Sequence, residues 1–268
     1  MKASSLSRSR VKKLLAAAGA FAFWLAVWQL AHMYVGRDFL LTSPARTLDR
    51  MLGLAGEAAF WRALSATGLR VISGFGLAML SGAVLALVSA GRPWVKTLLG
   101  PMIGTVRATP VVSFILLAIM WMTSHTLPMF IAFLMVLPLA YSNLLSGLEN
   151  LDRQLLEMTR LFKFPRRRVL RLIYIPSLMP YLTAACATGL GFAWKSAIAA
   201  EVIAHPALSV GRQIHRARIY FEVADLFAWT LTVIIISVLL EKVTLRLLRA
   251  LTKRLLRLST TKGGESGA

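Results

Sequence analysis

Acidic residues are scarce in this chain. Asp and Glu number 11 against 31 Lys and Arg, a net charge of +20, and charged residues of both signs make up only 16% of the 268. A water-soluble domain runs nearer about a quarter charged, so the chain has too little polar surface to cover itself in water. There is one cysteine, Cys186, set in an apolar stretch, which excludes an intrachain disulfide and a cysteine metal centre. His32, His125, His205 and His215 are scattered without ligand spacing, so no metal site is expected. The phosphate-cradling pattern Gly-x-x-x-x-Gly-Lys-Ser/Thr is absent, so the chain is expected to hold no ATP and no cofactor of its own. No nucleophile–base or metal constellation falls in the apolar runs, which weighs against a membrane-embedded enzyme, and no internal repeat is visible, which weighs against a secondary transporter. What is abundant is apolar: 57% hydrophobic residues and a mean hydropathy of +0.67, for which lipid is the natural solvent.

A bilayer core about 30 Å thick needs roughly 20 helical residues to cross it. Runs of that kind fall at 14–35, 71–90, 105–123, 127–147, 179–204 and 224–241, predicting an all-α integral membrane protein with about six transmembrane helices. The third run carries Pro110 near its start. The sixth is uninterrupted only from Leu226 to Leu240, about 22 Å of helix, so it must borrow flanking residues. The first run follows a basic stretch over 1–13 that looks like the start of a signal peptide. Its apolar core is too long and no small-x-small cleavage site follows, so it reads as an uncleaved anchor.

Orientation follows from the basic residues. With six spans, one side receives about 21 of them, including the N-terminus, the 149–176 loop and a 250–268 tail, and the other side about seven. Such asymmetry in short loops predicts a multi-pass membrane protein with both termini cytoplasmic. It also accounts for the high net charge without nucleic acid.

The external segment 36–66 contains Ser43-Pro44 and an amphipathic stretch over 48–64, expected to lie on the membrane surface as a helix. On the cytoplasmic side, Leu151, Leu155, Met158 and Phe162 fall at helical spacing opposite charged positions. Pro165 then breaks the chain, and Val169, Leu172 and Ile173 begin a second short amphipathic piece. Two short helices with a bend suit a docking element for another protein; the alternative is a loop resting on anionic headgroups.

This loop resembles the EAA motif of bacterial importer permeases: Glu-Ala-Ala, three residues, Gly, then about nine residues to Ile-x-Leu-Pro. Glu157-Met158-Thr159 stands at the Glu-Ala-Ala position and Ile173-Tyr174-Ile175-Pro176 at the close. Lys163 stands where the family has glycine, and lysine disfavours the left-handed turn glycine permits. The resemblance extends over roughly 40–249, to permeases of the nitrate/sulfonate/taurine branch of ATP-binding-cassette (ABC) importers. Leu41-Thr42-Ser43-Pro44, Arg107-Ala108-Thr109-Pro110, and Ala193-Trp194-Lys195-Ser196 with Ala200-Glu201-Val202-Ile203 follow the family's order.

The resemblance implies a type I ABC importer transmembrane domain over 62–249. It implies a translocation path for a small anion such as a sulfonate, taurine or nitrate, or for a thiamine-type precursor. ATP would be bound by a separate cytoplasmic ATPase dimer docked on Leu155, Glu157, Met158, Thr159, Lys163, Pro165 and Pro176. A second permease copy, giving a homodimer, and an extracytoplasmic substrate-binding protein complete the implied partners. An ion-coupled secondary transporter is the alternative, for which repeats and more spans would be expected.

Lys195 lies close to mid-bilayer, where a charge costs on the order of 2.5–3.5 kcal/mol, so it is expected to face the bundle interior or a water-filled cavity. Ala184, Ala187, Thr188, Gly191, Lys195 and Ala199 recur at three- and four-residue steps as one small-residue stripe. Lys195, with Trp194, Gly191, Glu201 and Arg107, is the candidate translocation path; a structural lysine paired with a carboxylate of another helix is the competing reading. Glu201 points to a different face from Lys195. Arg107 reads equally as a marker of the cytoplasmic end of the third span, and Trp194 as a packing residue.

Overall fold

The computed structural model describes the backbone of residues 3–261 and the side chains of 15–250. All regular structure in that range is helical: α1 (Ala3–Val35), α2 (Pro44–Ala55), α3 (Ala58–Gly91), α4 (Pro93–Ala108), α5 (Val111–Ala118), α6 (Leu127–Glu149), α7 (Arg153–Leu161), α8 (Arg166–Val169), α9 (Ile175–Ala204), α10 (Val210–Ile219) and α11 (Val223–Thr261). Five stretches are long and apolar enough to cross a membrane: Leu15–Val35, Ala58–Gly91, Leu127–Glu149, Arg166–Ala204 and Val223–Ala250. The α4–α5 pair passes the same test together. Residues 1–2 of the expected N-terminal stretch and 262–268 of the expected tail lie outside the described residues.

The expected third span, 105–123, is not one helix. α4 stops at Ala108, Thr109 is extended, Pro110 leads into α5, and the two axes meet at 99°. Pro110 has no N–H for the helical ladder and pushes Thr109 out of helical geometry. The surface helix expected over 48–64 is likewise divided. Ser43 caps α2 and Pro44 fills its first turn, as both residue types favour. That helix ends at Ala55, and the chain from Ala58 already belongs to the 34-residue α3.

The second amphipathic piece expected from Val169 onward is also not a separate short helix. α8 passes through a π-helical turn, Leu170–Tyr174, straight into α9. The wider winding falls just before Pro176 and Pro180, whose rings crowd the carbonyls four residues earlier.

The chain divides into two compact units. The first comprises Met1–Trp61 and Gln213–Thr232. Here Trp28 donates to the carbonyl of Thr42 at 3.0 Å and stacks on Phe227, tying α1 to the segment before α2. Arg50 forks onto Asp225, with Nη2 2.9 Å from Oδ2, and this hydrogen-bonded carboxylate raises the pKa of the guanidinium above its ordinary value.

The second unit comprises Arg62–Arg212 and Val233–Ala268, with α6 at its centre. One face of α3 is buried along its length: Thr67, Arg70, Gly74, Ala78, Gly82, Ala86 and Ser89 follow at three- and four-residue steps, with Val71 buried beside Arg70. Glycines let this face approach α6 closely. A Cβ at Gly74 would stand 2.4 Å from the Met129 carbonyl, and one at Gly82 2.7 Å from the Ala140 Cβ. Ile115, Ala118, Leu127, Ile131 and Ala200 form one core cluster; Ala86, Ile103, Tyr141, Leu144 and Leu145 form another.

Candidate functional site

The 149–176 loop is built by local rules. Asp152 caps α7, its carboxylate accepting from the amides of Gln154 at 2.8 Å and Leu155 at 3.4 Å. Of the α7 residues, Thr159 is buried, its hydroxyl donating to the Leu156 carbonyl at 2.7 Å. Leu155, Glu157, Met158, Leu161 and Phe162 stand exposed, so an apolar surface faces away from the chain.

The helix then ends in a double turn. The Phe164 amide donates to the Thr159 carbonyl at 2.9 Å and the Lys163 amide to the Arg160 carbonyl at 3.1 Å, with Lys163 at φ 49°. This is the helix-stop geometry that glycine normally occupies. Lysine at the glycine position therefore does not move the bend to Phe164-Pro165: Lys163 itself takes the left-handed conformation. Pro165 follows, barring continuation of α7, and Pro176 sits in the first turn of α9 beyond the π-helical turn.

The break between α4 and α5 opens a cavity of about 450 Å³. Arg107 and Lys195, far apart in sequence, both line it, with Thr109 and Ser196 as hydroxyls and Val111, Met135, Leu139 and Phe192 among the apolar walls. Arg107 is held in place through Nη2, which donates to the Pro138 carbonyl at 3.0 Å and to Ser142. Among the described residues, no carboxylate lines this cavity. The small-residue stripe of α9 is uncovered within the chain: Ala184, Thr188 and Lys195 are exposed, and Ala187, Gly191 and Ala199 are half-buried.

Trp194 and Glu201 require a correction. Both were grouped with Lys195 as a path, yet Trp194 is 1% and Glu201 0% exposed, turned into the core by the helical step. Glu201 instead joins a buried network that the sequence reading missed. Arg70 Nη1 lies 2.9 Å from Glu201 Oε1 and 2.8 Å from the Leu208 carbonyl. The Thr67 hydroxyl lies 2.9 Å from Oε2 and accepts from the Val210 amide at 3.0 Å, while the Gly211 amide donates to Oε2 at 3.1 Å. A Cβ at Gly211 would stand 2.3 Å from that of Glu201, so only glycine lets the start of α10 reach the carboxylate. A usable signal was present: a carboxylate within an apolar run requires a cation from another helix. Arg70 lies one residue outside the run read as the second span.

Residues 64–257 match the family model described as binding-protein-dependent transport system inner membrane component. This chain belongs to that family. Across 88% of its length and 87% of the relative's, it is 26% identical over 247 residues to the taurine transport system permease protein TauC of Escherichia coli. It is 31% identical over 234 residues to the riboflavin transport system permease protein RibX of Chloroflexus aurantiacus, covering 83% of this chain and 86% of that one. It is 30% identical over 182 residues to the putative aliphatic sulfonates transport permease protein SsuC of Escherichia coli, covering 67% and 69%.

The chain is thus an ABC importer permease, a multi-pass membrane subunit that carries substrate across the membrane and does no catalysis. Its energy comes from a separate ATPase subunit, and the system includes a substrate-binding protein. None of these three relatives is named as an ion-coupled secondary transporter.

Proposed function

We propose that this permease, as a homodimer with both termini cytoplasmic, imports a small organic anion, driven by an ATPase dimer docked on the 149–176 loop. The observation that carries the docking reading is the exposed apolar face of α7 (Leu155, Met158, Leu161 and Phe162) held at a fixed angle by the turn at Lys163. Glu157 is exposed beside that face, free for a partner. ATP, bound between the two ATPase subunits, draws them together, moves α7, and biases the membrane helices between inward- and outward-open states.

The part of the α9 stripe before Lys195, with Ala184 and Thr188 exposed, supports a second copy, since small residues permit close helix packing. The boundaries of the transport domain, 62–249, follow the family resemblance. The anionic cargo rests on Arg107 and Lys195 lining one cavity without an acid. The name of SsuC, a putative aliphatic sulfonates permease, points to the same chemistry.

The test is co-purification with the cognate ATPase in lipid, wild type against Glu157→Ala. A stable complex whose ATPase activity is weakened several-fold by the substitution is expected. Failure of any ATPase to associate with the wild-type chain overturns the docking reading.

A further inference from the structure

Resting on the reading of this chain as an anion permease, we propose that the cavity at the α4–α5 break is itself a selectivity filter. It accepts singly charged organic oxyanions with an apolar body and rejects those that also carry an ammonium group. Selection then occurs within the membrane, in addition to any made by the substrate-binding protein.

The charge inventory sets the class. Among the described residues, Arg107 and Lys195 are the only ionisable side chains lining the cavity. Arg107 uses Nη2 for Pro138 and Ser142, which leaves the N–H groups of Nε and Nη1 without a partner among the described residues. Lys195 likewise has no hydrogen-bond or ion-pair partner among the described residues. Two basic groups, one oriented by its own anchors, thus share one chamber.

The helix break adds to the same sign. α5 starts with Val111 in the wall of the cavity, which brings the positive end of its dipole close to the same region. Broken membrane helices present anions with this kind of terminus.

The walls set the second requirement. Val111, Met135, Leu139 and Phe192 surround the charged pair, and about 450 Å³ is the size of a small-molecule site rather than a bare-ion site. A ligand with an oxyanion head and a few methylenes or a ring satisfies the cations and fills the apolar space. A small inorganic anion leaves that space empty. A zwitterion brings an ammonium into a chamber holding two cations and no carboxylate, a repulsion that low surrounding polarity strengthens.

A matched pair of probes tests the idea: 1-butanesulfonate and 3-aminopropane-1-sulfonate, which differ by a terminal methyl against a terminal ammonium. Equilibrium binding of each is measured on the permease–ATPase complex in nanodiscs, without the substrate-binding protein. Butanesulfonate is expected to bind at least tenfold tighter than the amino analogue. Lys195→Met and Arg107→Met should each weaken butanesulfonate at least tenfold. Met135→Glu, which places a carboxylate in the wall, should narrow or reverse the preference, a gain that misfolding cannot mimic. Equal binding of the two probes, no binding of either, or butanesulfonate binding indifferent to Lys195→Met and Arg107→Met overturns the filter. The importer reading survives each of these results, because ATPase association is scored separately on the same complex.

Discussion

Arg70 and Glu201 illustrate how much one buried pair demands of its surroundings. Their side chains are 6% and 0% exposed, so each charge has left water and is repaid only by its fixed partners. The carboxylate has three sources of compensation: the guanidinium, the Thr67 hydroxyl and the Gly211 amide. Removing one partner leaves the other charge buried and unpaired. Arg70→Met or Glu201→Leu alone is therefore expected to destabilise the permease by about 3–5 kcal/mol. The double substitution should recover a large part of that loss, because no uncompensated charge remains. Thermal unfolding of the three variants in nanodiscs checks this, and a strictly additive double variant contradicts it.

At the scale of the element, the turn after α7 shows a residue type overruled by its context. Lys163 adopts φ 49° because two helix-closing hydrogen bonds and the following Pro165 leave the chain no other exit. A left-handed lysine costs on the order of 1 kcal/mol relative to glycine. Lys163→Gly should thus protect the amides of 155–164 from hydrogen exchange while keeping ATPase coupling. Lys163→Val, branched at Cβ, should lower both. Equal exchange in all three proteins removes the strain argument. The division of the 105–123 run into α4 and α5 is a related case. Its hydropathy suited a span, but Pro110 was the decisive residue, and the 99° bend it permits is what opens the cavity beside Arg107.

For the whole molecule, the topology expected from charge placement has a direct readout. A reporter active only in the cytoplasm, fused after residue 268 or before residue 1, should be active in both positions; activity in one alone contradicts the assigned orientation. The charge asymmetry that supports this orientation is a property of short loops, so reducing it should matter more than any single residue. Replacing the arginines at 166–168 with glutamine would alter the proposed docking loop as well as the charge balance, which makes the terminal fusions the cleaner measurement.

Membrane residence, helical class and the family were legible from composition, run length and ordered motifs, because lipid allows few ways to satisfy a backbone and each leaves a periodic trace. Helix α7 was legible for the same reason: Asp152, the apolar spacing and Pro165 act on neighbours a few residues away. Tertiary structure alone decided which polar residues meet. Arg107 and Lys195 share a cavity, while Glu201, six residues beyond Lys195, turns to Arg70 instead. These pairings span 88 and 131 positions and depend on a helix break and on a glycine-lined approach between helices, which no local pattern encodes.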